Sequence, residues 1–283
     1  MTKNKIVAES YNLAVDAGFS SYLEEHATSE NCEIKVDEEK LIAEIEFKWL
    51  NSKLPELDMQ TPAEYINSIP SLDELTELFI DISSVSDVGV PDILIEKLKE
   101  YGKQAADKLF GFVKGWMENK DPEKVSAVSQ AVYAIGCLRY QEYRKKLIEL
   151  LLECFRDDLI SEAVCAAIVE YDVDVLEDLI KTFHATQQPE VQEHLLTCVA
   201  EISRDNQSDE IFYFLRHAFR VVSNLKLAVE VLGDYGDGRA IPLLRGYILK
   251  NIKEIDRSTF NHVRAVIKKL GGEIDDLVYT TQG

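Results

Sequence analysis

A chain of 283 residues, 46% apolar and 29% charged, can bury a sizeable core, which excludes a disordered polypeptide. Its net charge of −20 disfavours general adhesion to phosphate backbones or anionic lipid, and no apolar run reaches the ~18 residues of a membrane span. Five cysteines, an odd number without a C-x-x-C pair, fit neither a disulfide framework nor a zinc knuckle; Cys137, Cys165 and Cys198 fall in apolar helical runs and are expected to pack as small hydrophobes. The start, MTKNKIVAES, meets Glu9 before a signal-peptide core could form, so a cytoplasmic protein is expected.

Residues 1–88 read as a helical amino-terminal region, with helices expected at about 5–17 and 37–52 around a polar stretch, HATSENCEIKV, that could hold a short extended piece. In FKWLNSKLPELDMQTPAEYINSI, Thr61 is placed to cap a short helix opened by Pro62, with Glu64 as the reciprocal partner. Trp49, Leu54, Leu57 and Tyr65 are expected to form a small local core. The pattern of Trp49, Leu50, Pro55, Leu57, Thr61, Pro62 and Glu64 resembles the carboxy-terminal segment of Xre-type antitoxins over about 17 residues. Met59 stands where that family usually has glycine, and no helix-turn-helix DNA reader precedes the segment.

Pro91 to about Glu118 predicts one or two further helices of capping length, after which Asp121 and Pro122 open the first clear repeat. Five segments then share one pattern: AVYAI at 131–135, AVCAA at 163–167, LTCVA at 196–200, AVEVL at 228–232 and VRAVI at 263–267, with starts spaced by 32, 33, 32 and 35 residues. Their first, fourth and fifth positions lie on one helical face, so each helix is expected to bury the same stripe of small and apolar residues. A second apolar run follows in the first four: YRKKLIELLLECF, VDVLEDLI, DEIFYFLRHAF and AIPLLRGYI; only IDDLVY follows the fifth. In LGDYGDGRAIPLL, Gly233 or Gly236 is suited to a left-handed helix end, Asp237 to the next cap, and Pro242 to the early part of the helix beyond.

These pairs resemble HEAT-type repeats, in particular the short HEAT-like units of bilin lyases, over about residues 89–283. The resemblance implies an all-α fold: a right-handed α-solenoid of HEAT-like helix pairs, with clear units starting near 122, 158, 189, 223 and 256 and a smaller helical region at 1–88. Its motif is structural and brings no activity with it.

Chemistry is sparse. The chain has no G-x-x-x-x-G-K-[ST], G-x-S-x-G or H-E-x-x-H motif. Deoxyhypusine hydroxylases, which are HEAT-type enzymes, carry His-Glu dipeptides for a di-iron centre, whereas none of the five histidines here precedes a glutamate. Neither a metal nor another cofactor is expected.

Charge is unevenly spread. Residues 1–120 hold twelve basic against twenty-four acidic side chains and 121–205 hold eight against seventeen, but 206–270 hold eleven against seven. Within that basic region DEIFYFLRHAFR, residues 209–220, is unusually aromatic. If Ile211, Phe214, Leu215 and Ala218 form the buried stripe, Tyr213, Arg216, His217 and Arg220 lie outside it, while Phe212 and Phe219 are expected to pack against neighbouring repeats. A shift of one repeat places Tyr247 beside His217 and Lys250 beside Arg220, with Arg245 nearby.

The leading expectation is a non-catalytic interaction scaffold that binds a protein or peptide, an acidic segment among the candidates, through these seven residues on a concave face. The alternatives are an enzyme or cofactor handler of the bilin-lyase kind, with a pocket around Tyr213 and Arg216, and nucleic-acid binding through residues 206–270.

Overall fold

The computed structural model describes residues 2–26 and 37–279, which form fifteen α-helices and three short 3-10 turns, with no strand among the described residues. The expected extended piece falls largely within 27–36 and lies outside the described residues. No described helix is long and apolar enough to cross a membrane. The chain divides into two compact units, residues 1–143 and 144–283.

The first unit contains α1 (Lys3–His26), α2 (Glu38–Leu50), α3 (Pro62–Ser68), α4 (Leu72–Ser83), α5 (Asp92–Glu100), α6 (Lys103–Asn119) and α7 (Val125–Leu138). Helix α1 packs on both α2 and α4, while α4 and α6 pack on α7. The unit therefore runs past the boundary expected near residue 88, and the Ser126 hydroxyl, which donates to the Ser83 carbonyl at 2.8 Å, is one of the bonds made across that point. The Tyr11 and Trp49 rings lie 4.8 Å apart, and Trp49 Nε1 donates to Ser10 Oγ at 3.0 Å. Trp49 and Leu57 are buried as expected, whereas Leu54 and Tyr65 are half-buried, the latter because its hydroxyl reaches out to Asn4 Oδ1 at 2.6 Å.

Local chemistry sets the boundaries here. Thr61 and Glu64 form a reciprocal capping box at the start of α3, satisfying two amides that the helix leaves open. Just before it, Asp58 and Met59 adopt left-handed backbone angles, with φ of 58° and 63°. Asp121 accepts from the Glu123 amide at 3.1 Å ahead of α7, in the expected capping role.

The second unit begins within α8 (Gln141–Cys154) and continues through α9 (Asp158–Val169), α10 (Leu176–Ala185), α11 (Pro189–Ser203), α12 (Asp209–Val221), α13 (Leu225–Tyr235), α14 (Ala240–Asn251) and α15 (Arg257–Lys269). The first members of successive pairs pack in order, α9 on α11, α11 on α13 and α13 on α15, and α9, α11 and α13 each pack with their own second helix or the turn leading to it. Small residues permit this approach: a Cβ on Gly233 of α13 would come within 2.7 Å of Val266 Cγ1 on α15. Gly236, with φ of 77°, ends α13 in the left-handed region, and Asp237 Oδ1 accepts from the Arg239 amide at 2.8 Å. That explains the abrupt stop and restart in LGDYGDGRAIPLL, since glycine enters this region without steric cost.

The repeated stripe holds at most positions, and Ala131, Ala163, Leu196, Ala228 and Val263 are all buried. It departs from expectation at Ala166, which is exposed, and at Ala200, which is half-buried. On α9 the buried side is instead carried by Ile160, Ala163, Val164, Ala167 and Ile168, a stripe that turns Ala166 outward. Cys137 and Cys165 likewise sit half-exposed at the stripe's edge and are not full core residues; Cys198 is buried.

Candidate binding face

Helix α12 starts where the Ser208 hydroxyl accepts from the Ile211 amide at 3.2 Å. The Tyr235 hydroxyl fastens this start to α13, accepting from the Ser208 amide at 2.8 Å and donating to the Ser208 carbonyl at 2.9 Å. Ile211, Phe214, Leu215 and Ala218 are buried, as their spacing requires, and Phe212 and Phe219 are buried beside them. Phe214 meets Phe183 of α10 edge-on at 5.0 Å between centroids, and the Arg239 guanidinium lies 4.2 Å above the Phe212 ring.

What remains outside is polar or amphipathic. Tyr213 is 57% exposed, and Arg216, His217 and Arg220 are exposed along the same helix. Arg216 lies over the Tyr213 ring at 5.7 Å from its centroid. His217 meets His184, exposed near the end of α10, with centroids 5.0 Å apart. Partial burial holds the His217 pKa below the ordinary imidazole value, helped by the neighbouring His184 and the Arg220 charge.

Two positions differ from the one-repeat shift. The ring contact of Tyr247 is with Phe219, at 5.6 Å, two residues farther along α12 than His217. Tyr247 is half-buried, and this burial, with Asp256 and Glu254 nearby, raises its phenol pKa. Arg245 is already engaged: its guanidinium pairs with Asp276 and donates to the Glu273 carbonyl, bracing the segment after α15. Lys250 is exposed on α14. His184 was not singled out in the sequence, although a shift of one repeat upstream from His217, 33 residues, leads directly to it.

Elsewhere in residues 206–270 the carboxylates are largely used internally. Arg239 pairs with Asp237 and Asp209, Lys269 with Asp234, and Lys226 with Glu230. Arg216, Arg220 and Lys250 have no carboxylate partner among the described residues. Nor does any group of three or more His, Cys, Asp or Glu among them have an arrangement that could hold a metal ion. No family model matches the chain, and neither a curated protein nor a solved structure does.

Proposed function

We propose that this protein is a non-catalytic binding module, a right-handed α-solenoid of HEAT-like pairs whose second helices hold an acidic segment of a partner protein. The ordered packing of α9, α11, α13 and α15 supports the repeat reading, in which stacked pairs turn their second helices to a common side. The observation that carries the function is the set Arg216, Arg220 and Lys250: cations with no carboxylate partner among the described residues, in a chain holding 51 acidic against 31 basic side chains. Tyr213 lies beneath Arg216 and His217 meets His184, and aromatic and arginine side chains dominate binding hot spots. A bound carboxylate would gain charge-assisted hydrogen bonds from guanidinium groups whose competing anions lie elsewhere.

Fluorescence anisotropy with a labelled Glu/Asp-rich peptide, a Lys-rich peptide and a DNA oligonucleotide of matched length tests the reading. The acidic peptide should bind, and the Arg216→Glu/Arg220→Glu double variant should bind it about 1–3 kcal/mol more weakly while keeping its helical circular dichroism. Preferential binding of the oligonucleotide, falling steeply with salt, would replace the reading with a nucleic-acid interface. Equal affinity of wild type and double variant for the acidic peptide would remove α12 from the site.

A further inference from the structure

A second cluster in the same unit is independent of the α12 face. Cys165 on α9 and Cys198 on α11 occupy the same column of the repeat, 33 residues apart, on helices packed directly together. Cys198 Sγ lies 3.9 Å from the Cys165 carbonyl oxygen, which brings its thiol beside Cys165 across the α9–α11 contact. His194, one helical turn before Cys198, lies on the same side of α11 and acts on the Cys165 thiol. Cys198 is buried, whereas Cys165 and His194 are half-exposed, with the exposed Ala166 following Cys165 on α9.

Each neighbour favours charge on one sulfur. A thiolate at Cys165 can accept from the Cys198 S–H and from a ring N–H of His194. The Cys165 thiol is accordingly lowered to about 6, first by the Cys198 bond and then by His194, against the opposing effect of burial. The same bonds act oppositely on the partners: the Cys165 contact and burial push Cys198 well up, and the Cys165 contact raises His194. Reactive cysteines are thiolates that solvent can reach, and a buried thiol alongside is placed to resolve an oxidised one.

We propose that Cys165 is a peroxide-reactive thiolate and that Cys198 resolves it, forming a dithiol–disulfide couple that joins α9 to α11. The Cys165 sulfur attacks one oxygen of hydrogen peroxide; the O–O bond breaks, and the departing hydroxide takes the proton of His194 and leaves as water. The Cys198 sulfur then attacks the Cys165 sulfenic acid, and its own proton departs with the hydroxyl as a second water. Two thiols are oxidised by one peroxide, the disulfide forms, and His194 ends neutral. The bond lies between first helices of neighbouring pairs and uses no residue of the α12 face.

The test is made on the full native chain. Iodoacetamide labelling at pH 7, read peptide by peptide by mass spectrometry, should modify Cys165 about tenfold faster than half-exposed Cys137. His194→Gln should slow Cys165 and leave Cys137 unchanged. After hydrogen peroxide, a non-reducing digest should contain a peptide pair linked through Cys165 and Cys198 and lighter by two hydrogens. Cys198→Ser should stop at a dimedone-trapped sulfenic acid on Cys165. Equal labelling of Cys165 and Cys137 in the wild-type protein, or peroxide treatment that leaves Cys165 and Cys198 unlinked, overturns the proposal.

Discussion

Two glycines in helices of similar length should answer the same substitution differently. At Gly233 in α13, a new Cβ would lie 2.7 Å from Val266 Cγ1 and 3.4 Å from Cγ2; at Gly246 in α14, nothing lies within 4 Å. Carbon atoms in favourable contact sit ~3.5–4.0 Å apart, so the first site is overlapped by about 1 Å. Val266 cannot easily turn away, because a β-branched side chain in a helix has one dominant rotamer, and α13 and α15 must therefore separate. Overpacking of this kind costs about 1–3 kcal/mol, set against ~1 kcal/mol gained when alanine replaces glycine inside a helix. Gly233→Ala should then be neutral to destabilising by about 2 kcal/mol, and Gly246→Ala stabilising by up to ~1 kcal/mol. Urea unfolding followed by circular dichroism measures both, and adding Val266→Ala to Gly233→Ala should recover much of the steric loss as a coupling between neighbours. If Gly233→Ala stabilises the protein as much as Gly246→Ala, the close approach of α13 and α15 is wrong.

Three further outcomes follow from other positions. Ala167→Leu should destabilise by about 1–3 kcal/mol in the same urea experiment, while Ala166→Leu, one residue away but exposed, should leave the midpoint nearly unchanged. Met59→Gly should raise stability by about 1 kcal/mol, because the left-handed backbone at φ 63° penalises a Cβ; a loss of stability would mean that the methionine side chain contributes more than the strain removes. His217 has a lowered pKa in the folded chain, so the unfolded chain takes up its proton at higher pH and the stability associated with neutral His217 is lost as pH falls from ~6.5 through the folded value. Wild type should therefore lose stability relative to His217→Gln over that window, and parallel pH profiles would contradict the packing of His184 and Arg220 around it.

Much of the scaffold was legible in the residues because its causes are local. Thr61, Pro62 and Glu64 define a helix start through hydrogen bonds spanning three residues, and Gly236 and Asp237 define a stop and restart through backbone freedom and one side-chain oxygen. The α12 face was legible for a related reason: once Ile211, Phe214, Leu215 and Ala218 are buried, helical geometry leaves Tyr213, Arg216, His217 and Arg220 outside. Rotation of a stripe by a fraction of a turn is a different kind of quantity. It depends on what the neighbouring helix presents, and alanine, small enough to sit on either side, does not reveal that Ala166 points out while Ala167 points in.

Contacts between repeats were decided only by tertiary structure. A constant shift along the sequence assumes rigid register, yet Tyr247 meets Phe219, and Arg245 is held by Glu273 and Asp276 in the segment after α15. The approach of Cys165, Cys198 and His194 was equally hidden, because apolar periodicity assigns a cysteine to the core without saying which side chain it faces. Caps, turns and faces follow from bonds and angles within a few residues. Which cation is already paired, and which thiol lies beside another, depends on distances between helices that no single helix specifies.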